Sequence, residues 1–508
     1  MFTQAAEKLV GSSESSKSGP SETDPSLKPK CCTGGGPGYE SPMQAFKNGP
    51  REQIMFVALP NSDVPKKPDM LVSVDVNPDS AEFCKIISKL AFPNVGDELH
   101  HTGWNACSSC YNDACKKRTH LILPCLNSHR VYVVDTTDPR NLKLHKTVEA
   151  QDLLEQNVSS PHTPHCLQDG QIMISTLGDA RGEGQGNFVL IDAETFEVTG
   201  KWPADGEGVP FGYDFWYQPR CNVMASTEWG TPNRYRRGLS MKDIAAGHYG
   251  SSIHIWDWSN RTLKQTIQLD GPTGMCPFEI RFLHNPDKPH AFFVTVIGSA
   301  VYHLYRDEKG DEWKVEQSAV VPPKMVRNGN WTALPLKAMP GLCADMVISL
   351  DDRFLYVSQW GHGDVRQYDI TDPFNVKLVG QCFVGGASYD TSTGVELTTE
   401  QEADQATRGP IIFPDGTKVE GGPNMVQLSL DGKRLYVTFS IYTIWDKQFY
   451  PEVTKKGSVM LQLDVNTDIG GLTLNKKFLV DFSKQLDGTY LAHEMRYPGG
   501  DCTSDIWL

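Results

Sequence analysis

The chain has 508 residues, 39% hydrophobic and 22% charged, ample for a large buried core, with a formal net charge of −14. That acidic balance excludes a nucleic-acid binder, and no apolar run is long enough to form an integral membrane helix. Thirteen cysteines, an odd number, behind an N-terminus without a signal-peptide core predict free thiols in the cytoplasm, with the nucleus as a second compartment.

Residues 1–37 are rich in Ser, Lys, Glu, Gly and Pro and read as a disordered leader. Residues 38–508 read as strands and turns with little helical periodicity. Two kinds of strand recur seven times each. One is a short apolar run, often closing in Ser or Thr, at 54–59, 120–126, 171–176, 222–227, 291–296, 354–359 and 435–440. The other follows it and ends in an aspartate: Asp75, Asp135, Asp192, Asp257, Asp307, Asp369 and Asp464. Asp suits that place because its carboxylate accepts a hydrogen bond from the backbone two residues on. Roughly sixty residues per unit, several strands each and no intervening helices, predict an all-β, seven-bladed β-propeller. The longer last interval makes 385–422 an insertion. Ring closure would bring 491–508 to the first blade near Ile54, leaving no open sheet edge.

In a propeller the first strand of each blade lines the central channel, so here it precedes each apolar run. The segments at or near those places contain His100-His101, His162-Thr-Pro-His165, Tyr213–Trp216, Glu279–Arg281, Ala344–Met346, Asn424–Val426 and His493–Arg496. The first, second and last belong to adjacent blades once the ring closes. Both members of the His100-His101 pair can reach one point only if the backbone turns there, because neighbours on a strand face opposite ways. His362 lies in a loop after an apolar run and is a further candidate. Converging neutral imidazoles suit Cu, Zn, Fe or Ni, whereas Mg and Ca ask for oxygens. The expected ligands are His100, His101, His165, His362 and His493. Loop lengths leave open which of His162 and His165 points inward; His165 is favoured, with His162 as its support.

Cys107-Ser-Ser-Cys110 is a C-x-x-C without βαβ context or a second pair, so it reads as a redox-sensitive or soft-metal-binding loop rather than a thioredoxin or zinc motif. Cys84 is expected on the outermost strand of its blade, about 14 Å from the channel-lining strand at three strand spacings. The Gly-rich 178–186 stretch joins strand to strand and opens no helix, so it is not a phosphate loop.

Five stretches carry a family resemblance: Leu99-His-His-Thr-Gly-Trp-Asn-Ala-Cys-Ser-Ser-Cys110, Gly212-Tyr-Asp-Phe-Trp-Tyr-Gln-Pro-Arg220, Glu279-Ile-Arg-Phe-Leu-His-Asn-Pro286, Leu350-Asp-Asp-Arg-Phe-Leu-Tyr356 and His493-Glu-Met-Arg-Tyr-Pro-Gly-Gly-Asp-Cys502. Together they resemble the selenium-binding protein family, also called methanethiol oxidases. The chain departs from that family at its longer leader, where adjacent Cys31-Cys32 replaces a spaced pair. The resemblance implies copper-dependent oxidation of a small thiol, methanethiol, with O2 and water consumed and formaldehyde, hydrogen sulfide and hydrogen peroxide released. It also implies that Cys84 matches the selenium-carrying cysteine. The alternative is a non-enzymatic selenium-binding or trafficking scaffold, with the histidines lining an inert channel.

Overall fold

The computed structural model describes residues 35–63, 66–307, 310–327, 338–390, 393–398 and 410–508. Cys31-Cys32 and most of the expected leader lie outside the described residues, as do 391–392 and 399–409 of the expected insertion.

Seven four-stranded antiparallel sheets follow one another along the chain. Six are continuous: from the innermost strand outward, blade 2 starts at Gly103–Trp104, blade 3 at Ser159–Cys166, blade 4 at Phe215–Gln218, blade 5 at Pro277–Phe282, blade 6 at Cys343–Ile348 and blade 7 at Val426–Leu428. Blade 1 is built from both ends of the chain. Its three outer strands are Ile54–Leu59, Met70–Asp75 and Ile86–Ala91, and its innermost is Met495–Arg496. Val57 pairs with Met495 and Phe56 with Arg496, and the ladder continues through Ala58 N–H to Glu494 O (3.0 Å) and His493 N–H to Ala58 O (3.0 Å). The ring therefore closes as the repeat predicts.

The second and third strands of each blade are sandwiched between neighbouring sheets, and this explains their composition. A strand covered on both faces reads as a near-continuous apolar run, not as alternation. Phe56, Leu71, Leu121, Leu123 and Tyr132 fill the space between blades 1 and 2, and Ile122, Val133, Ile172, Ile174 and Val189 that between blades 2 and 3. The outermost strands, such as Ile86–Ala91, are half-buried or exposed along most of their length. The aspartates do what the sequence asks of them. Asp75, Asp135, Asp192 and Asp369 each accept from the backbone N–H two residues on, at 2.9–3.0 Å.

The hydroxyls that close the apolar runs tie one blade to the next. Ser175 donates to Tyr213 O (2.7 Å), Ser358 to Asn424 O (2.5 Å) and Thr438 to His493 O. Carboxylates at the innermost strands do the same as acceptors. Asp214 accepts from Ile280 N–H (2.9 Å) and Asp345 from Val426 N–H (2.7 Å). Such groups satisfy backbone donors that would otherwise be orphaned near the axis.

One expected placement is corrected here. Cys84 is not on the outermost strand of blade 1 but in the turn before it, at φ +63°, with its N–H bonded to Asp75 O (2.9 Å). The apolar residues 83–87 look like one strand, but the aspartate-opened turn runs through Cys84 and the strand starts at Ile86.

Deleting residues 491–508 removes the innermost strand of blade 1 and buried Tyr497, Ile506 and Trp507. The truncated chain should lose cooperative unfolding in urea, since the loss exceeds the ~5–15 kcal/mol net stability of a typical domain. A folded protein with an unchanged midpoint would contradict this closure.

Candidate metal centre

The segment carrying His100 and His101 is held from both sides by buried carboxylates. Asp69 accepts from Asn61 N–H (2.8 Å) and Leu99 N–H (2.7 Å), while Glu98 accepts from Thr443 N–H (2.8 Å). Glu98 itself sits at φ +59°. After Leu99, which bridges to Cys125, the chain leaves regular strand until Gly103. The backbone turn that two adjacent imidazoles need in order to share one point is therefore present, and the rings lie 5.2 Å apart.

His493 arrives from the other end of the chain. Its ring centroid is 3.9 Å from His100 and 5.7 Å from His101. One ring nitrogen of each of the three lies within 4.8 Å of the others, and among the described residues no other trio of His, Cys, Asp or Glu does so. All three side chains are at most 2% exposed.

For His493 and His101 the protein fixes which nitrogen is available. His493 Nδ1 lies 2.6 Å from Ser440 O, which can only accept, so Nδ1 carries the proton and Nε2 the lone pair. His101 Nδ1 lies 3.1 Å from Glu494 Oε1, which directs Nε2 to the cluster in the same way. His101 Nε2, His493 Nε2 and His100 Nδ1 are all buried without a hydrogen-bond partner. Three buried ring nitrogens without a partner, on rings this close together, are what a metal ion would satisfy. Burial, with mutual repulsion among the rings, holds the His100 imidazole well below its ordinary range; burial does the same for His101 and brings His493 down to about 4. All three are thus neutral ligands at pH 7.

Carboxylates surround the imidazoles. Glu494 also accepts from Thr102 N–H and from Arg496 (2.6 Å). Glu279 places Oε1 3.4 Å from His101 Nε2, and burial together with the nearby Asp214 raises its carboxyl well above the usual range. Arg281 bridges Glu279 (2.8 Å) and Asp214 (2.5 Å). The channel segments in the sequence contain these acids, but nothing in their spacing says which one faces an imidazole.

Of the two histidines left open in blade 3, His162 reaches the cluster. Its ring lies 4.2 Å from His101 and 4.9 Å from His100, with Tyr213 at 4.2 Å. His165 packs instead against Phe215 (5.1 Å) and Trp216 (4.9 Å). The pairing register slips by one residue between Pro161 and Pro164, and a strand that slips there exchanges the faces of its side chains. His362 is also elsewhere. It is buried in a tight turn, with Nε2 3.0 Å from Met339 O.

Cys107 and Cys110 lie on a separate turn, and Cys110 is brought down to about 6 mainly by its hydrogen bond to Cys166 and by Lys116, against the opposing effect of burial. The Cys84 thiol is pushed up to about 11 by burial. No helix among the described residues is long and apolar enough to cross a membrane.

A family model described as 56kDa selenium binding protein (SBP56) matches residues 33–508. Methanethiol oxidase of Xenopus laevis is 53% identical over 480 residues, 94% of this chain and 99% of that protein. Human methanethiol oxidase is 51% identical with the same coverage. The crystal structure of a hypothetical selenium-binding protein from Sulfolobus tokodaii superposes with a TM-score of 0.80 at 36% identity, covering 92% of this chain and 98% of that one. A periplasmic gluconolactonase of Pseudomonas aeruginosa (TM-score 0.54, 9% identity, covering 87% and 98% of the two chains) shares the fold alone.

The depressed imidazoles predict a pH dependence of folding for the metal-stripped chain. His165 and His493 titrate near 4 when folded but near 6.5 when unfolded. The unfolded chain therefore binds more protons in that window, and stability present above pH 6.5 is lost as pH falls towards 4, by about 3 kcal/mol per ring. Urea unfolding between pH 7.5 and 4.5 measures this. His165→Phe, which keeps the ring shape among its aromatic neighbours, should flatten the fall; an identical slope in wild type and variant would refute it.

Proposed function

The chain belongs to the 56kDa selenium-binding protein family, and from that premise we propose that it is a copper-dependent methanethiol oxidase. The proposed reaction takes methanethiol, O2 and water to formaldehyde, hydrogen sulfide and hydrogen peroxide. What supports the copper assignment is the donor set of His100, His101 and His493, three neutral, buried imidazoles with unpartnered nitrogens close together.

Copper bound there would supply a redox partner for O2 and lower the pKa of a thiol that joins it. The chain's own groups do the rest. Glu494 and Ser440 O hold the tautomers of His101 and His493, so the ligating nitrogens need no reorganisation. Glu279, whose carboxyl is raised by burial and by Asp214, stands next to His101 Nε2 and is placed to pass a proton to or from a bound thiol. Burial of the whole cluster excludes bulk water from the reacting atoms.

Selenium is assigned to Cys84 by the family resemblance. Its thiol is protonated at neutral pH and lies in the turn before the outermost strand of blade 1, not on the segments that carry the imidazoles. Loading there is therefore independent of the metal in this reading.

Two variants test the centre. His101→Ala and His493→Ala should each remain folded, because the buried strands of seven blades far outweigh three ligand contacts. Each should lose copper affinity by ~10–100-fold or more and lose methanethiol turnover, whereas His362→Ala should keep both. Normal copper and turnover in folded His493→Ala would move the site elsewhere. Cys84→Ser should keep metal content and turnover but take up no covalent selenium, read by elemental analysis after gel filtration; copper loss in that variant would show the two sites to be coupled.

A further inference from the structure

Six positions beyond His101, Cys107 stands at the head of the turn Ser108–Cys110. Cys166 ends the innermost strand of blade 3. Their sulfurs face each other across the boundary between blades 2 and 3, 2.7 Å apart. The Ser109 hydroxyl sits among three sulfurs, 3.2 Å from Cys107, 3.6 Å from Cys166 and 3.7 Å from Cys110. All three cysteines are buried.

Cys125 and Cys276, by contrast, are lone thiols in apolar packing and behave as small hydrophobes. The trio is not a second metal cage: among the described residues only the three imidazoles bring ligand atoms mutually within 4.8 Å. It is a sulfur pair in contact, with a third thiol beside it. Two surface clefts flank it, one of about 370 Å³ lined by Leu167 and Tyr217 and one of about 380 Å³ lined by Asn105 and Ala106. Each cleft is thus lined by a chain neighbour of one of the two sulfurs.

We propose that Cys107 and Cys166 form a modifiable dithiol that hydrogen peroxide closes into a disulfide between blades 2 and 3. One sulfur, as thiolate, attacks a peroxide oxygen, breaks the O–O bond and becomes a sulfenic acid while hydroxide leaves. The partner sulfur then displaces the sulfenic hydroxyl, which departs as water with the partner's proton, and the hydroxide takes the first thiol's proton. Two thiols are oxidised by two electrons and one peroxide becomes two waters. Cys107 and Cys166 each follow a histidine-bearing segment, and the rings of His101 and His162 lie 4.2 Å apart. The bond would therefore clamp together the two segments behind the imidazole cluster. This chemistry does not depend on copper or on turnover of a thiol.

The test treats the full, chelator-stripped chain with hydrogen peroxide, alkylates the remaining thiols and maps tryptic peptides under non-reducing conditions. Cys107 lies on peptide 90–116 and Cys166 on 147–181. In the Cys110→Ser/Cys115→Ser protein, Cys107 is the one thiol on its peptide. Peroxide should link the two peptides, with loss of both thiols to alkylation, and dithiothreitol should release them. Cys107→Ser and Cys166→Ser should each abolish the link. Wild-type protein should likewise lose Cys166 to the cross-link. Full alkylation of Cys166 after peroxide has closed Cys107 onto Cys110, or no cross-link at any peroxide dose that oxidises Cys107, would overturn the proposal.

Discussion

The structure turns on a single carboxylate. Glu494 belongs to the C-terminal segment that completes blade 1, yet its oxygens accept from the Thr102 backbone in blade 2, from Arg496 on its own strand and from His101 Nδ1. Closing the ring and orienting a candidate metal ligand are thus one interaction. A buried carboxylate is tolerable only when its lone pairs are used, and breaking such a pair by removing one partner typically costs ~3–5 kcal/mol. The constraint has a consequence for the sequence. Residues about four hundred positions apart must both be present before either can take its place in the site.

The same device recurs around the axis with different residues. Asp214 and Asp345 reach the backbone of the next innermost strand, and Ser175, Ser358 and Thr438 reach the next blade from the second strands. Innermost strands in a propeller face a polar channel on one side and neighbouring blades on the other. Side-chain hydrogen bonds there both satisfy the backbone and fix the blade-to-blade angle, which sets how closely rings from different blades can approach.

Much of the fold was legible in the chain because the second and third strands are covered on both faces. Continuous apolar runs and their terminal aspartates mark them without help from tertiary contacts. Innermost strands carry no such signature: Ser159–Cys166 is polar, contains two prolines and is found only by its position ahead of the next run. The convergence of His100, His101 and His493 followed from that register. The choice between His162 and His165 did not, because a one-residue slip inside the strand decides it and leaves no trace in composition. His362 fails for a related reason. The partner that holds it, Met339, comes from the segment before blade 6, which no repeat pattern describes. The pairing of Cys107 with Cys166 joins a turn to a strand end 59 residues away and was equally hidden, since only the C-x-x-C was visible locally.

Anomalous diffraction reads directly whether the proposed copper sits at the three imidazoles, apart from the thiols. Crystals of the full chain loaded with one equivalent of copper, measured on either side of the copper absorption edge, should show a single strong peak among His100 Nδ1, His101 Nε2 and His493 Nε2. A peak at the sulfurs of Cys107, Cys110 and Cys166, or an occupied site at His362 with none at the three imidazoles, would contradict the account.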